Sequence, residues 1–353
     1  MSASIFLATT GHGLARASRA DDSHWSVEFL LADQDVRCLA ADPLSPNVVY
    51  AGTQGNGVLR SDDSGKTWQL AGLAGCIVKA IAVSRAEPGV VYAGTKSPPL
   101  IFVSRNGGKS WQELEGFRRI RSRWFWFSPA ESPFTAYVQG IALSPTDPNV
   151  IVVGIEAGAV VRSEDGGRAW SDHRSGALRD CHTILFHPTS GDWVYEAGGT
   201  GAGVAVSRDA GKTWQQPKAG LDRHYGWAVA ADAARPEVWY ASLSPLPSLT
   251  KPGPPPAHID GKANAYIFRS VGGAAWQKLA LSPSTALRVN SAEGGLPQPL
   301  NYMAYALITD PAAPGHLYAG MSNGDVWHLT DHGETWQQLP FNLKGIHRTL
   351  IML

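Results

Sequence analysis

Short apolar segments recur along the chain and alternate with turns that contain Asp or Pro. Six of these segments align with one another, at residues 36–41, 78–83, 138–143, 181–186, 226–231 and 304–309. A second apolar segment follows the turn, and three of these share the ending Tyr-Ala-Gly, at 50–52, 92–94 and 318–320. Since Asp and Pro in turns break a strand sharply, the pattern predicts short β-strands that are repeated along the chain.

A motif that ends in tryptophan marks each repeat. Its clearest copy, Ser-Asp-Asp-Ser-Gly-Lys-Thr-Trp, occupies residues 61–68, between a third and a fourth predicted strand. The tryptophans that mark the repeats are Trp25, Trp68, Trp111, Trp170, Trp214, Trp276 and Trp336. Trp25, Trp68 and Trp111 follow one another at intervals of 43 residues, and a fixed period of this size indicates an array of one unit. Four short strands per unit are typical of a propeller blade, so we predict an all-β fold with seven four-stranded antiparallel blades.

The residues of the motif suit a structural role in such a blade. The Asp side chain can accept hydrogen bonds from backbone N–H groups in a tight turn, and the Gly permits a positive φ. The Trp can fill the space between neighbouring blades. We therefore assign neither calcium nor substrate to the motif, because repeated elements of a fold seldom carry its chemistry.

The motif resembles the Asp-box, also called the BNR repeat. The copies at 18–25 and 270–276 are degenerate, and Asn106 replaces the Asp in the copy at 104–111. The resemblance implies a single seven-bladed propeller over residues 1–353, similar to sialidases, xyloglucan-degrading enzymes, sortilin-like receptors and a photosystem II assembly factor. The chain lacks the Arg-Ile-Pro motif of sialidases, and Arg37 and Arg348 supply only part of their arginine triad. The assembly factor is similar in being a lone propeller of this length.

The two ends of the chain are predicted to close the ring. Residues 5–10 match the second strand of a blade, and residues 348–353 match the innermost strand that this blade lacks. Pairing of the two ends in one sheet leaves no exposed edge.

Composition narrows the class of protein. Lys and Arg number 30, as do Asp and Glu, and this balance argues against nucleic-acid binding. Cys38, Cys76 and Cys181 give no even disulfide framework and are predicted to be reduced thiols. No apolar run approaches the ~20 residues of a membrane span. Since no cationic region precedes the first apolar stretch, we predict a cytoplasmic protein.

Non-repeating residues on the innermost strands are the first candidates for function. The position two residues before the shared Leu, Ile or Val is polar or aromatic and varies between blades: Arg348, Arg37, Lys79, Gln139, His182, Trp227 and Tyr305. Two residues earlier, on the same side of the strand, lie Asp35, Tyr137, Asp180 and Tyr225. These residues predict a cup at one mouth of the channel, with a cationic and an aromatic wall, for a small anionic or sugar-like ligand. The alternative is that they only solvate the channel.

Glu196 occupies a position that is Ala or Val in the other blades. A buried carboxylate is costly unless it is paired, so we expect either an acid–base pair with His182 or a structural ion pair with an arginine. Glu156 follows the second strand of blade four and is expected at the same mouth. His12, His182, His224 and His347 are also expected near the channel. No two of them have the spacing of a metal motif, so we assign no metal site and leave a divalent ion as an open alternative.

Three insertions exceed the repeat length, at residues 117–136, 243–265 and 281–301, and all are predicted on the rim that carries the cup. The first contains a basic and aromatic segment from Arg118 to Phe127, which suits an anionic partner, a carbohydrate, a membrane surface or another protein, or packs as a lid. Two functions follow. The first is a hydrolase or lyase in which His182 and Glu196 act as acid and base. Arg37, Lys79 and Arg348 would bind an anion, and Tyr225, Trp227 and Tyr305 would stack on the ligand. The second is a non-catalytic scaffold that binds another protein.

Overall fold

A computed structural model describes residues 5–19, 24–248, 253–279, 296, 298–332 and 335–353. The strands of blades one and two are β1 (Ile5–Thr9), β2 (Leu14–Arg19), β3 (Trp25–Leu30), β4 (Val36–Asp42), β5 (Ser45–Thr53), β6 (Val58–Ser61) and β7 (Gln69–Leu70). Those of blades three to five are β8 (Ile77–Val83), β9 (Val91–Lys96), β10 (Ile101–Ser104), β11 (Gln112–Glu113), β12 (Val138–Leu143), β13 (Ile151–Ile155), β14 (Val160–Ser163), β15 (Cys181–Phe186), β16 (Val194–Gly198) and β17 (Val204–Ser207).

The strands of blades six and seven are β18 (Tyr225–Ala231), β19 (Val238–Ser244), β20 (Tyr266–Val271), β21 (Gln277–Lys278), β22 (Ala304–Thr309), β23 (Leu317–Met321), β24 (Asp325–Leu329) and β25 (Trp336–Asn342). The last strand, β26 (Leu350–Met352), returns to blade one. Short 3-10 helices lie at Glu115–Arg119, Arg121–Phe125 and Pro256–His258. Within the described ranges, no helix has the length and apolar character needed to span a membrane.

The seven sheets form a closed ring, as predicted. Their innermost strands contact one another in sequence, from β4 through β8, β12, β15, β18 and β22 to β26, which also contacts β4. Strand β26 pairs antiparallel with β1, with Leu350 opposite Ala8 and Met352 opposite Phe6. The backbone N–H of Leu353 donates to the carbonyl of Ile5 at 3.0 Å. The predicted closure by the two chain ends is therefore confirmed.

Blades four and five differ from the predicted four strands, since each has three among the described residues. In blade four, the N–H of Val160 donates to His173 Nδ1 at 3.1 Å, and the N–H of Arg162 donates to Ser171 Oγ at 3.0 Å. These side chains take the place of backbone acceptors on a fourth strand. In blade five a single bridge between Val206 and Gln215 ends just before Pro217, which has no N–H to continue a ladder.

The tryptophan motif has the structural role that the sequence predicts. Asp63 Oδ1 accepts the N–H groups of Lys66 and Thr67 at 3.1 and 2.9 Å, and the Thr67 hydroxyl and backbone bonds lower the pKa of this carboxyl. Gly65 has φ of +81°, and a Cβ there would lie 2.8 Å from Leu7 of blade one. Trp68 packs in the apolar cluster formed by blades one and two. The copies that end at Trp25 and Trp336 extend over residues outside the described ones, at 20–23 and 333–334.

Candidate functional site

The ring of non-repeating side chains lines the channel. All seven residues, Arg37, Lys79, Gln139, His182, Trp227, Tyr305 and Arg348, border a central cavity of about 220 Å³. In each blade from two to seven, the pairing of the two inner strands shifts at this residue, for example between Cys181 and Thr183 around His182. Such a β-bulge leaves one residue unpaired and redirects its side chain. The bulges therefore explain how one position in each of blades two to seven faces the channel.

Above the ring lies a larger cavity of about 1060 Å³, which we call the mouth cavity. Arg348, His182, Trp227 and Tyr305 border both cavities and form its floor. Its sides carry parts of two insertions, including Pro129–Glu131 from the first and Gly253–Pro255 and His258 from the second. The first two predicted insertions therefore meet at the same mouth. Most of the third, residues 281–295 and 297, lies outside the described residues, as do residues 249–252 of the second.

A carboxylate from the first insertion pairs with three cations of the cationic wall. Glu131 contacts Lys79 Nζ directly, lies 3.3 Å from Lys96 Nζ and lies 3.4 Å from Arg37 Nη1. Arg37 also pairs with Asp35 at 2.6 Å. Burial raises the pKa of Glu131, but the lowering effect of Lys79 and the other cations is larger, and the resulting pKa is about 2. The cations predicted to bind an anion thus already have partners within the chain.

Tyr137 forms the centre of this wall. Lys79 Nζ lies 4.6 Å from the centre of its ring, Lys96 Nζ 5.4 Å and Arg348 Cζ 5.6 Å. Arg348 Nη2 donates to its hydroxyl at 3.2 Å, and burial raises the pKa of that hydroxyl. Three cations around one aromatic ring favour a fixed arrangement of the wall.

The opposite wall is aromatic and is tied to the second insertion. Tyr225 OH lies 2.8 Å from His258 Nε2, and His258 Nδ1 lies 2.7 Å from Tyr305 OH. Tyr305 OH donates to the carbonyl of Ala257 at 3.1 Å, so Nδ1–H donates to Tyr305 and Nε2 accepts from Tyr225. Burial lowers the pKa of His258 to about 4 and keeps it neutral. The ring of Trp227 lies 4.9 Å from Tyr305 and 4.4 Å from His182.

A cluster of Glu156, Asp180 and His182 joins the two walls. One donor atom from each lies within 4.8 Å of the others. Glu156 follows β13, and Ala157 after it has a left-handed φ of +46° that directs its N–H to Asp180 Oδ1 at 3.2 Å. His182 Nδ1 lies 2.7 Å from the carbonyl of Gly226, and its Nε2 lies 3.6 Å from Asp180 Oδ2.

The three groups have different electrostatic environments. Burial raises the pKa of Glu156 to about 7, against the lowering effect of His182. Burial also raises the pKa of Asp180, but contact with His182 lowers it more, so the net shift is downward. For His182, burial lowers the pKa while Asp180 and Glu156 raise it more. The cluster therefore combines an ionised carboxylate with a second carboxyl that is poorly solvated.

The predicted pair between Glu196 and His182 does not form. Glu196 is fully buried, its Oε2 accepts the N–H of Leu178 at 2.9 Å, and its Oε1 has no partner. Burial raises the pKa of this carboxyl well above its usual range. Glu196 pairs in the ladder with Ile184, whereas His182 sits at the bulge and faces the channel. The bulge shifts the register between them, which separates two side chains that a regular strand pair brings closer.

The remaining candidates are also placed. Gln139 accepts from Arg348 and donates to the carbonyl of His182 at 3.1 Å. Among the other histidines, His347 borders the mouth cavity, while His12 is exposed and His224 lies 3.5 Å from the carbonyl of Ala202. Sequence reasoning missed Glu131, Lys96 and His258. Lys96 follows a strand ending that several blades share, so a comparison of the repeats could have identified it. Glu131 and His258 lie in insertions, which have no counterpart in the other repeats.

Similarity to known proteins is confined to the fold. The chain superimposes on a GH74 enzyme from Niastella koreensis with a TM-score of 0.67 and 18% identity, covering 96% of this chain and 52% of that one. For a GH74 xyloglucanase from Xanthomonas campestris the TM-score is 0.61 and the identity 19%, covering 86% and 45%. For YCF48 bound to D1 peptide the TM-score is 0.54 and the identity 14%, covering 86% and 80%.

The chain spans about half the length of these two GH74 proteins. No protein-family model matches the chain, and no curated protein sequence matches it. The fold implied by the resemblance of the tryptophan motif, a seven-bladed propeller, is therefore confirmed.

Proposed function

We propose that the mouth cavity is the active site of a hydrolase or lyase that acts on a small, uncharged, sugar-like molecule. The observation that carries this proposal is the convergence of an aromatic wall and the Glu156–Asp180–His182 cluster in one cavity of about 1060 Å³. Aromatic faces bind the apolar face of such a ligand, and a few polar groups orient it. In this proposal the cluster replaces the predicted His182–Glu196 pair as the reacting centre.

The charges of the site favour an uncharged ligand over an anionic one. Glu131 forms ion pairs with Arg37, Lys79 and Lys96. The guanidinium of Arg348 donates hydrogen bonds to Gln139 and Tyr137. An anion would have to compete with Glu131 and would meet the carboxylates of Glu156 and Asp180. The GH74 neighbours, named as xyloglucan-degrading enzymes in one case, support a saccharide as the first class of compound to test.

The test is a thermal-shift screen with neutral oligosaccharides, including xyloglucan fragments, and with sugar acids as the charged comparison. A ligand raises the unfolding temperature according to its concentration relative to Kd. We expect a neutral compound to stabilise the wild type and to be converted to products detected by chromatography. Trp227→Ala should abolish the shift, and Trp124→Ala, which changes an exposed Trp that does not border the mouth cavity, should retain it. Shifts with sugar acids alone would contradict the proposal.

A second function is a binding surface for a protein partner, formed by the first insertion. Trp124 and Phe125 are 88% and 86% exposed, and Phe127 and Phe134 are 57% and 58% exposed. A patch of this kind on a soluble chain marks an interaction site. The neighbour YCF48, of which the alignment covers 80%, is described with a bound peptide. Binding of a peptide-array hit that is lost in Trp124→Ala but kept in Trp227→Ala would support this second function.

A further inference from the structure

The Glu156–Asp180–His182 cluster is incomplete as a set of hydrogen bonds. Glu156 is only 8% exposed, yet no hydrogen bond or ion pair of its carboxylate is found among the described residues. It borders the mouth cavity next to Asp180. Burial of a carboxylate without a partner destabilises the folded state by an amount on the order of several kcal/mol. Stability of the fold therefore does not explain why a carboxylate lies at residue 156.

The orientation of His182 supplies an independent indication. In the neutral form of the ring, Nδ1 donates to the carbonyl of Gly226 at 2.7 Å and the lone pair of Nε2 faces Asp180 Oδ2. Their separation of 3.6 Å is too long for a hydrogen bond. A metal ion would take the place of the proton that Asp180 and Glu156 favour on Nε2. A histidine that binds a metal through one ring nitrogen commonly donates the other to a backbone carbonyl in this way. Asp180 is oriented as well, since its Oδ1 accepts the N–H of Ala157.

The geometry points to a divalent metal ion of the Zn²⁺ or Mn²⁺ type, held by Glu156, Asp180 and His182 on the wall of the mouth cavity. Donor atoms about 2 Å from one tetrahedral ion are about 3.4 Å apart. The Asp180–His182 separation of 3.6 Å is close to this, and the other separations, all within 4.8 Å, close with shifts of about 1 Å in the donor atoms.

One imidazole and two carboxylates suit such an ion better than Cu⁺ or an iron–sulfur cluster, which prefer sulfur. Three protein ligands leave a coordination position open toward the cavity, as in catalytic zinc sites. A divalent ion in that position polarises a substrate oxygen and activates water. The inference deepens the proposed function and rests on it for the use of the ion, whereas binding of the ion is measured separately.

The experiment is a calorimetric titration of the full chain, treated with EDTA and dialysed, with ZnCl₂. We expect one ion per chain in the cluster. Glu156→Gln and Asp180→Asn should each weaken zinc binding by more than the ~10–100-fold typical for loss of a supporting group. Glu115→Gln removes an exposed carboxylate and should bind like the wild type. A repeat with Mn²⁺, which prefers oxygen over thiolate ligands, separates the cluster from Cys76.

Thermal unfolding without metal confirms that each variant is folded. If Asp180→Asn fails to fold, Glu156→Gln decides, because Glu156 has no partner to lose. Equal zinc and manganese affinities in the wild type and Glu156→Gln overturn the inference. A ligand found in the thermal-shift screen, together with equal metal affinities in the wild type and Glu156→Gln, would leave the proposed function standing and overturn the metal inference. Metal binding at the cluster, with no sugar-like ligand found in the screen, would support the metal inference and contradict the proposed function.

Discussion

Arg348 Nη1 donates to Gln139 Oε1 at 2.6 Å, although the two residues belong to blades one and four. The guanidinium therefore reaches across the channel. Gln139 in turn donates to the backbone carbonyl of His182 at 3.1 Å. This chain of contacts connects the segment that closes the ring to the residue at the centre of the candidate site.

Arg348→Ala should destabilise the protein by about 2–3 kcal/mol, because it removes charge-assisted hydrogen bonds and leaves Gln139 and Tyr137 without this partner. Arg348→Lys should recover only part of the loss, since an ammonium does not reproduce the guanidinium fork. The measurement is urea unfolding at pH 7.5. Arg121→Ala, at an exposed position, should change stability by no more than about 0.5 kcal/mol. Similar losses in the two alanine variants would show that Arg348 does not bridge the channel in solution.

Glu131→Gln should destabilise the protein by about 2 kcal/mol at pH 7, because Lys79, Lys96 and Arg37 lose their shared counterion. The folded-state pKa of Glu131 is lowered to about 2, compared with about 4.3 for an unperturbed Glu. A lowered pKa stabilises the fold above the unfolded value, and that contribution is lost as the pH falls toward 2. The difference between wild type and variant should therefore narrow below about pH 4.3. Thermal unfolding at pH 7, 5 and 3 checks this, with Glu115→Gln as the control, and a constant difference contradicts it.

His258→Gln should destabilise the protein by about 1–2 kcal/mol at pH 7.5, because the hydrogen bonds that join Tyr225 and Tyr305 are lost. The folded-state pKa of His258 is lowered to about 4, compared with about 6.5 in an unfolded chain. Between these values the unfolded chain binds a proton that the folded chain does not, so this residue favours folding less as the pH falls. Since His347 is present in both proteins, their difference isolates His258. It should shrink between pH 6.5 and 4, and a difference that grows in this range would refute the neutral relay.

The repeats made the fold and the channel ring predictable. Each blade repeats the same strand pattern, so a residue that departs from it, such as Trp227 or His182, can be recognised by comparison along one chain. The bulges could not be recognised in this way, because an extra unpaired residue leaves no mark in the apolar pattern. For that reason Glu196 was assigned to His182, although the structure separates them and places Glu156 near His182 instead.

The walls of the site were harder to predict for a different reason. Glu131 and His258 belong to insertions that occur once, so no other blade provides a position with which to compare them. Their partners are also distant in sequence, since Glu131 contacts Lys79 and His258 contacts Tyr305. Only tertiary structure brings these residues together, and it changes the cationic wall from an open anion site into a paired network.

We infer that Glu156 is placed for function and not for stability of the fold. The most direct test is the free energy of unfolding of Glu156→Gln in metal-free buffer at pH 8, compared with the wild type. Because the change removes the charge of a buried carboxylate without a partner, we expect the variant to be more stable, by about 1–3 kcal/mol. A variant that is less stable than the wild type would show that Glu156 supports the fold, and would contradict the account.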